Sequence, residues 1–245
     1  MSIEEDAQPA AAMLVSLQVG LPQELTWKPS GSDRSTPWTT GFHKTPTDQP
    51  LWLARENLAG DGQADLVHHG GPHKAVCVYP ADHYPYWETT LDRDLPHGAF
   101  GENFTLAGLT ETQICIGDTW AIGSALLQVS QPRQPCFKLA RRWNVKDLAH
   151  QVQQNGRTGW YFRVLVEGEV AAGMRLALQE RPHPEWTVAL ANQIMHHDPK
   201  NAQAAAGLAA VPLLSPNWQE SLLKRVRQQT PVDERLRLDG GLPTH

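Results

Sequence analysis

The stretch SQPRQPCFKLARRW, residues 130–143, surrounds a cysteine with positive charge. Arg133 lies three residues before Cys136, and Arg141 lies five residues after it. Residues 131–146 contain five Lys and Arg and no Asp or Glu, although the whole chain has a formal net charge of −5. Nearby cations favour the thiolate, which is the form of cysteine that attacks substrates or binds metals. The pattern therefore predicts a reactive Cys136 beside an anionic ligand.

A helix that starts near Cys136 strengthens this interpretation. Pro135 interrupts the preceding strand, and CFKLARRW has rough helical spacing, so we predict a short helix whose N-terminus lies close to the sulfur. An inert buried cysteine is the alternative, since free cysteine is among the most buried residue types. For Cys77 in KAVCVY and Cys115 in QICIGD, strand alternation alone predicts small core residues.

Two further segments have residue types suited to ligand binding. GDGQADLVHHGGPHKAV, residues 60–76, combines glycine turns with three histidines, and glycines permit close approach of the backbone to a ligand. Solvated loop histidines are the alternative, and Pro72 with its neighbouring glycines argues against a helical zinc site. In HGAFGENF, Asn103 provides both a donor and an acceptor at a bend.

The bulk composition is that of a globular enzyme. Of 245 residues, 40% are hydrophobic and 19% charged, which argues against disorder. No apolar run approaches the roughly 20 residues of a membrane span, and the acidic start lacks the features of a secretory signal. Three scattered cysteines fit a reducing compartment, and net acidity argues against a nucleic-acid surface. We expect a cytoplasmic protein that binds neither membranes nor nucleic acids.

Short apolar runs separated by turn residues predict a mainly β domain with a few short helices. The close strand spacing favours a barrel or sandwich. One hairpin is predicted at DTWAIGSALLQVS, with its turn at Gly123-Ser124, and a second at residues 161–178. Short helices are predicted at ADHYPYWETTL and at CFKLARRW.

The pattern changes after residue 182. Residues 183–229 predict three short helices, two of which open with Asp-Pro or Ser-Pro. Residues 230–245 are polar, contain glycine and proline near their end, and predict a loose tail. The expected organisation is a β-barrel domain at 1–182, a helical unit at 183–229 and a flexible tail at 230–245.

Several motifs, in this order, resemble the MOSC-domain family and particularly its bacterial YiiM-like branch. They are KTP near residue 44, GDGQADLVHHGGPHKAV, GAFGENF, SQPRQPC and GRTGWYFRV. The resemblance implies a β-barrel-like domain that binds a molybdenum cofactor through a cysteine thiolate. The position of QPRQPC makes Cys136 that metal ligand. Molybdopterin is an anionic pterin phosphate, so a soft sulfur and basic residues suit it.

The resemblance also implies an activity, the reduction of N-hydroxylated compounds such as hydroxylamino purines. His69 is the preferred proton donor or orienting group and His68 the competing choice, because imidazole titrates near neutral pH. Asp65 would orient the histidine. The residues expected to hold cofactor or substrate are Lys44, Lys74, Asn103, Arg133 and Arg141. Thr45 stands where the family pattern has an acid, which removes that carboxylate from consideration.

The predicted reductase needs an external source of electrons. The chain has neither a ferredoxin-like cysteine run nor a dinucleotide fingerprint, so a separate electron-donating reductase is the expected partner. The C-terminal helices would pack on the barrel or dock that donor. Two other functions stay open: a sulfur carrier with a persulfide on Cys136, because such domains are also fused to pyridoxal phosphate-associated sulfurases, and a cofactor-binding module without turnover. A purified preparation can lack the cofactor.

Overall fold

The computed structural model describes residues 12–28, 33, 35–65, 70–228 and 233–240. The strands are β1 Ala12–Val19, β2 Gln23–Trp27, β3 Thr36–Thr40, β4 Thr45–Thr47, β5 Leu51–Leu53, β6 Val76–Pro80, β7 Phe104–Ala107, β8 Thr119–Ile122, β9 Ala125–Pro132, β10 Trp160–Val166, β11 Gly168–Val170 and β12 Arg175–Glu180. The α-helices are α1 Tyr84–Leu91, α2 Lys138–Trp143, α3 Leu148–Asn155, α4 Val188–Asn192, α5 Ala202–Ala209, α6 Pro216–Gln228 and α7 Arg235–Asp239. A π-helical turn, Gln193–His197, continues α4.

Seven strands close into a mixed barrel in the order β12, β8, β9, β10, β6, β7 and β1. Pairing of β1 with β12 completes the ring, and β4 is added on the free edge of β1. All barrel pairs are antiparallel except β6 with β7. Large apolar side chains, among them Phe104, Trp120 and Phe162, are fully buried in the core. The β-barrel prediction is confirmed, as is the β8–β9 hairpin, in which Ile122 pairs with Ala125.

The second predicted hairpin, at residues 161–178, is wrong. β10 pairs with β6 and β9, β11 pairs with β5, and β12 pairs with β8 and β1. Gly168 lies so close to Ser124 that a Cβ atom there would be 2.5 Å from the Ser124 backbone. The predicted turn at Glu167-Gly168 is also wrong: Glu167 alone separates β10 from β11, these described residues form no turn, and barrel closure with the distant β1 decides which strands pair.

The predicted C-terminal helical unit is confirmed as three helical segments packed on the barrel. Thr187 and Asn201 cap α4 and α5 by accepting backbone N–H bonds, each at 3.0 Å. Capping of this kind satisfies N–H groups that lack partners within the helix. Trp218 and Leu222 of α6 are buried in the same apolar cluster as the barrel interior, so the unit and the barrel share one core.

The expected loose tail contains a docked helix within its described part. α7 spans Arg235–Asp239, and its Leu238 is buried. The polar composition of this segment suggested solvation, because composition does not show which distant groups a side chain will meet. Across the described residues, no helix is both long and apolar enough to span a bilayer.

Candidate functional site

Cys136 lies between the end of β9 and the start of α2, and it lines a pocket at the barrel end. The pocket has about 560 Å³ of empty volume, part of it continuous with solvent. Of the residues predicted to bind cofactor, the structure brings five to its lining: Lys44, Lys74, Asn103, Arg133 and Cys136. The other lining residues include three with titratable side chains that were not among the predicted site residues: Cys77, Lys138 and Tyr161. Four lining residues are therefore basic.

Arg133 has an unused hydrogen-bond donor in this pocket. The side chain is only 4% exposed, and its Nη2 donates to the carbonyl of Phe100 at 2.5 Å. Its Nη1 is buried and has no partner among the described residues. An unsatisfied buried donor is costly, and a charged one more so. The orphaned guanidinium nitrogen is therefore suited to an anionic ligand.

Cys136 is a buried residue, 5% exposed, yet its surroundings are cationic. Burial lowers the pKa of Lys138 and Arg141, and interaction with Cys136 opposes that decrease in both. Lys138 and Arg141 therefore place positive charge near the Cys136 side chain. Cys136 is therefore not enclosed by hydrocarbon side chains alone.

Asp61 organises one wall of the pocket and was not among the predicted site residues. Its Oδ1 accepts a bond from Lys44 Nζ and another from Gly20 N–H at 2.9 Å. Its Oδ2 accepts from Asn103 Nδ2 at 2.9 Å, and Asn103 Oδ1 accepts from Cys77 N–H at 3.1 Å. The Asp61 carboxylate thus neutralises Lys44 and fixes the Asn103 amide. The sequence feature that could have identified Asp61 is its position in the glycine-rich motif at residues 60–76.

Cys77 is a buried strand residue, as predicted, but it also lines the pocket. Burial raises the pKa of Cys77, and Arg133 opposes that increase. Cys77 and Tyr161 are paired residues on the neighbouring strands β6 and β10. Burial raises the pKa of Tyr161 well above its ordinary value, so this phenol remains protonated and can donate. The pocket therefore contains two sulfurs and a phenolic donor.

The remaining predicted residues are placed differently. His68 and His69 lie outside the described residues. Asp65 is not part of the pocket lining, although its charge opposes the decrease that burial causes in the pKa of Lys74. Arg141 is also absent from the lining.

The Arg141 guanidinium lies instead among three aromatic rings. Its Cζ is 4.4 Å from the centre of Phe137, 5.2 Å from that of Trp27 and 5.4 Å from that of Trp38. Contacts between a cation and an aromatic ring are attractive at these distances. Arg141 therefore lies outside the pocket lining and is held by aromatic contacts.

The donor set of the pocket suits a metal that brings most of its own ligands. In the part of the chain that the structure describes, no group of three or more His, Cys, Asp or Glu could hold a metal ion. A single thiolate with surrounding cations, including the orphaned Arg133 nitrogen, matches a metal bound to an anionic dithiolene. The residues present therefore fit a molybdenum cofactor.

Comparison with known proteins identifies the family. A MOSC domain profile matches residues 65–177, and a profile for the YiiM-like three-α-helix domain matches residues 186–229. The crystal structure of YiiM from Geobacillus stearothermophilus is 39% identical, with a TM-score of 0.74, and the match covers 88% of this chain and 99% of that chain. This chain belongs to the MOSC-domain family, in its YiiM-like branch.

Two curated relatives extend the comparison of this MOSC-domain protein. The uncharacterized protein YflK from Bacillus subtilis (strain 168) is 48% identical over 220 residues, which is 90% of this chain and 97% of YflK. A protein named Reductase from Gibberella moniliformis (strain M3125 / FGSC 7600) is 38% identical over 154 residues, 61% of this chain and 27% of that relative. Helix α7 lies beyond both matching profiles.

Proposed function

We propose that this MOSC-domain protein is a molybdenum cofactor-dependent reductase of N-hydroxylated compounds, with hydroxylamino purines as the substrate class. The observation that carries the proposal is the buried Cys136 sulfur in a cationic pocket where Arg133 has a donor without a partner. Membership of the family supports a role connected with the molybdenum cofactor. The relative named Reductase supports oxidoreductase chemistry.

The pocket residues divide the tasks of binding the cofactor. Cys136 would supply one sulfur to the metal, and Arg133, Lys74 and Lys138 would face the anionic pterin and phosphate groups. Lys44 would contribute less charge because Asp61 already neutralises it. When bound, the cofactor would supply the two-electron chemistry of the reaction R–NHOH + 2 e⁻ + 2 H⁺ → R–NH₂ + H₂O.

The chain itself would supply and orient the protons. Tyr161 is a protonated donor at the pocket wall, while Asn103, held by Asp61, presents a rigid polar surface. His69, with His68 as the competing choice and Asp65 as its orienting group, would provide the titrating donor. A separate electron-donating reductase, with a flavin or an iron–sulfur cluster, would provide the two electrons.

Metal content and turnover in matched cysteine variants test this proposal. Protein from a molybdenum-replete host should contain molybdenum and reduce a hydroxylamino purine with an artificial donor. Cys136→Ser should lose both properties. Cys115→Ser is the control, because burial and Asp118 raise the pKa of Cys115 to about 11 and the residue does not line the pocket. Full molybdenum content in Cys136→Ser would contradict the assignment.

A sulfur carrier is the second candidate, and the presence of Cys77 beside the same pocket favours considering it. A thiolate promoted by cations would also accept persulfide sulfur. In that case mass spectrometry would find a persulfide on Cys136, and elemental analysis would find no stoichiometric molybdenum. Molybdenum without turnover would instead support a cofactor-binding module.

A further inference from the structure

The C-terminal helix α7 contacts the main chain on both sides of Cys136. Arg237 Nη1 donates to the carbonyl oxygen of Pro135, and the N–H of Phe137 donates to the carbonyl oxygen of Arg237 at 2.9 Å. The Pro135 carbonyl belongs to the peptide bond that precedes Cys136, and the Phe137 N–H belongs to the one that follows. A single residue therefore holds both peptide groups of Cys136.

Arg237 is itself anchored to α3 and to Glu234, the residue that precedes α7. Its Nη2 donates to Gln153 Oε1 on α3 at 2.6 Å and to Glu234 Oε1 at 2.8 Å. Glu234 in turn accepts from Gln153 Nε2 at 2.7 Å and from His196 Nδ1 at 2.8 Å. These bonds connect Cys136 to α3 and, through His196, to the C-terminal helical unit.

The end of α7 is shaped for close contact with the Cys136 segment. Gly240 has φ +66°, and a Cβ atom there would lie 2.8 Å from the Phe137 ring. Leu238 is 4% exposed, and Asp239 Oδ1 is 2.7 Å from His150 Nε2. Apolar burial and polar contacts together therefore hold α7 in place beside Phe137.

Arg237 is not among the residues that line the pocket. Its contacts reach Cys136 through the backbone, so it is suited to orienting the sulfur rather than to binding a ligand. We propose that Arg237 is a positioning residue, and that α7 holds the Cys136 loop in the conformation that directs its sulfur into the pocket. This inference rests on the proposed function only in taking Cys136 as the working sulfur.

Cysteine alkylation of the full-length protein without cofactor tests the inference. Arg237→Ala should free the loop, so the rate with iodoacetamide at high pH, where the thiols are ionised, should rise several-fold for Cys136. Cys77 and Cys115 in the same molecules should keep their wild-type rates. Arg237→Lys keeps a donor for the Pro135 carbonyl and should return the Cys136 rate part of the way to the wild-type value.

Arg235→Ala is the matched control on the same helix. Arg235 pairs with Asp233, and both side chains are largely exposed, so its removal should change no cysteine rate. If Arg237→Ala does not fold, Gln153→Ala should show the same change at smaller size, because it removes one anchor of the guanidinium. An unchanged Cys136 plateau, or equal increases at all three cysteines, would overturn the inference.

Molybdenum content separates this inference from the proposed function. Reduced molybdenum retention in Arg237→Ala, together with faster alkylation of Cys136, would support both proposals. Wild-type protein without molybdenum would reject the proposed function, while a selective alkylation change would still support the role of Arg237. Wild-type molybdenum content with no alkylation change would support the function and reject the positioning role.

Discussion

Two buried polar regions of this protein differ in how their charges are satisfied. One is the pocket at Cys136, and the other is a cleft between the barrel and the helical unit that contains His83 and Glu111. In the cleft, Glu111 pairs with His83 Nε2 at 2.7 Å and accepts the Gly159 N–H at 2.7 Å. Both carboxylate oxygens therefore have protein partners.

The Cys136 pocket leaves part of its polar capacity unused. Its lining has four basic residues, and the Arg133 Nη1 has no partner within the described chain. Buried polar groups that have protein partners stabilise the fold, whereas a buried charged donor without a partner in a pocket-lining side chain is suited to an anionic ligand. The difference between the regions lies in the charge of the unpartnered group: the Cys136 pocket leaves the cationic Arg133 Nη1 without a partner, whereas in the cleft the unpartnered atom among the described residues is the neutral Asn192 Oδ1.

Gly159 connects the two regions and should give the largest effect on stability. The Gly159 N–H donates to Glu111 Oε1, and the Gly159 carbonyl oxygen accepts a hydrogen bond from the Arg133 backbone N–H at 3.0 Å. At φ +72°, a Cβ atom would lie 2.1 Å from the Val78 carbonyl oxygen. Gly159→Ala should therefore disturb both regions, and urea unfolding should show a much lower free energy of unfolding.

Gly156→Ala is the matched control for this change. Gly156 has φ +73° with no atom within 4 Å of the added Cβ. The free energy of unfolding of Gly156→Ala should fall only by the cost of a left-handed backbone conformation for alanine, about 1–2 kcal/mol. Equal decreases in the free energy of unfolding of the two variants would show that the close contact at Gly159 does not add to the cost of the substitution.

Arg133→Met should affect ligand binding more than folding. The substitution keeps apolar packing but removes the unpartnered donor of this pocket-lining side chain, so we expect molybdenum retention to fall by about 10–100-fold, the range for groups that support a metal ligand. Elemental analysis and thermal unfolding measure the two effects. Full metal retention in Arg133→Met would mean that the unpartnered Arg133 nitrogen does not bind the cofactor.

Glu111→Gln should produce the opposite pattern. Replacing the carboxylate weakens its bonds to His83 and Gly159, which should lower the free energy of unfolding by about 1–3 kcal/mol. Molybdenum content should remain at the wild-type level. If the metal is lost while stability is kept, the cleft takes part in the site and the distinction between the two regions fails.

The smallest effect is a pH dependence of the paired groups behind Cys136. Burial raises the pKa of Glu234, but His196, Arg237 and Gln153 lower it by more. The net result is a pKa of about 2, against an ordinary value of 4.5. Because the folded-state pKa is lower, this stabilisation is complete above about pH 4.5 and is lost as the pH falls toward 2.

Acid unfolding of Glu234→Gln measures this contribution. The variant should be less stable at neutral pH and should lose less stability than wild type between pH 4.5 and 2. Burial also lowers the pKa of His196, so both proteins should still lose stability as the pH falls through the ordinary histidine range near 6.5. Identical curves below pH 4.5 would contradict the role assigned to Glu234.

Local sequence patterns predicted much of the fold and part of the site. Apolar runs between turn residues indicated the barrel, and the Gly123-Ser124 turn placed one hairpin correctly. The cationic stretch around Cys136 and the glycine-rich motif indicated residues that now line one pocket. These features depend on neighbours along the chain, so a single sequence shows them.

The remaining features depend on contacts between distant residues. Pairing of β12 with β1 decides the barrel, and the 161–178 hairpin was wrong for that reason. Asp61 meets Asn103 across 42 positions and Arg237 meets Pro135 across 102. The sequence by itself determined a β-rich chain with a cationic cysteine segment. Only the tertiary structure decided which distant groups satisfy that segment, because hydrogen bonds and burial depend on separation in space.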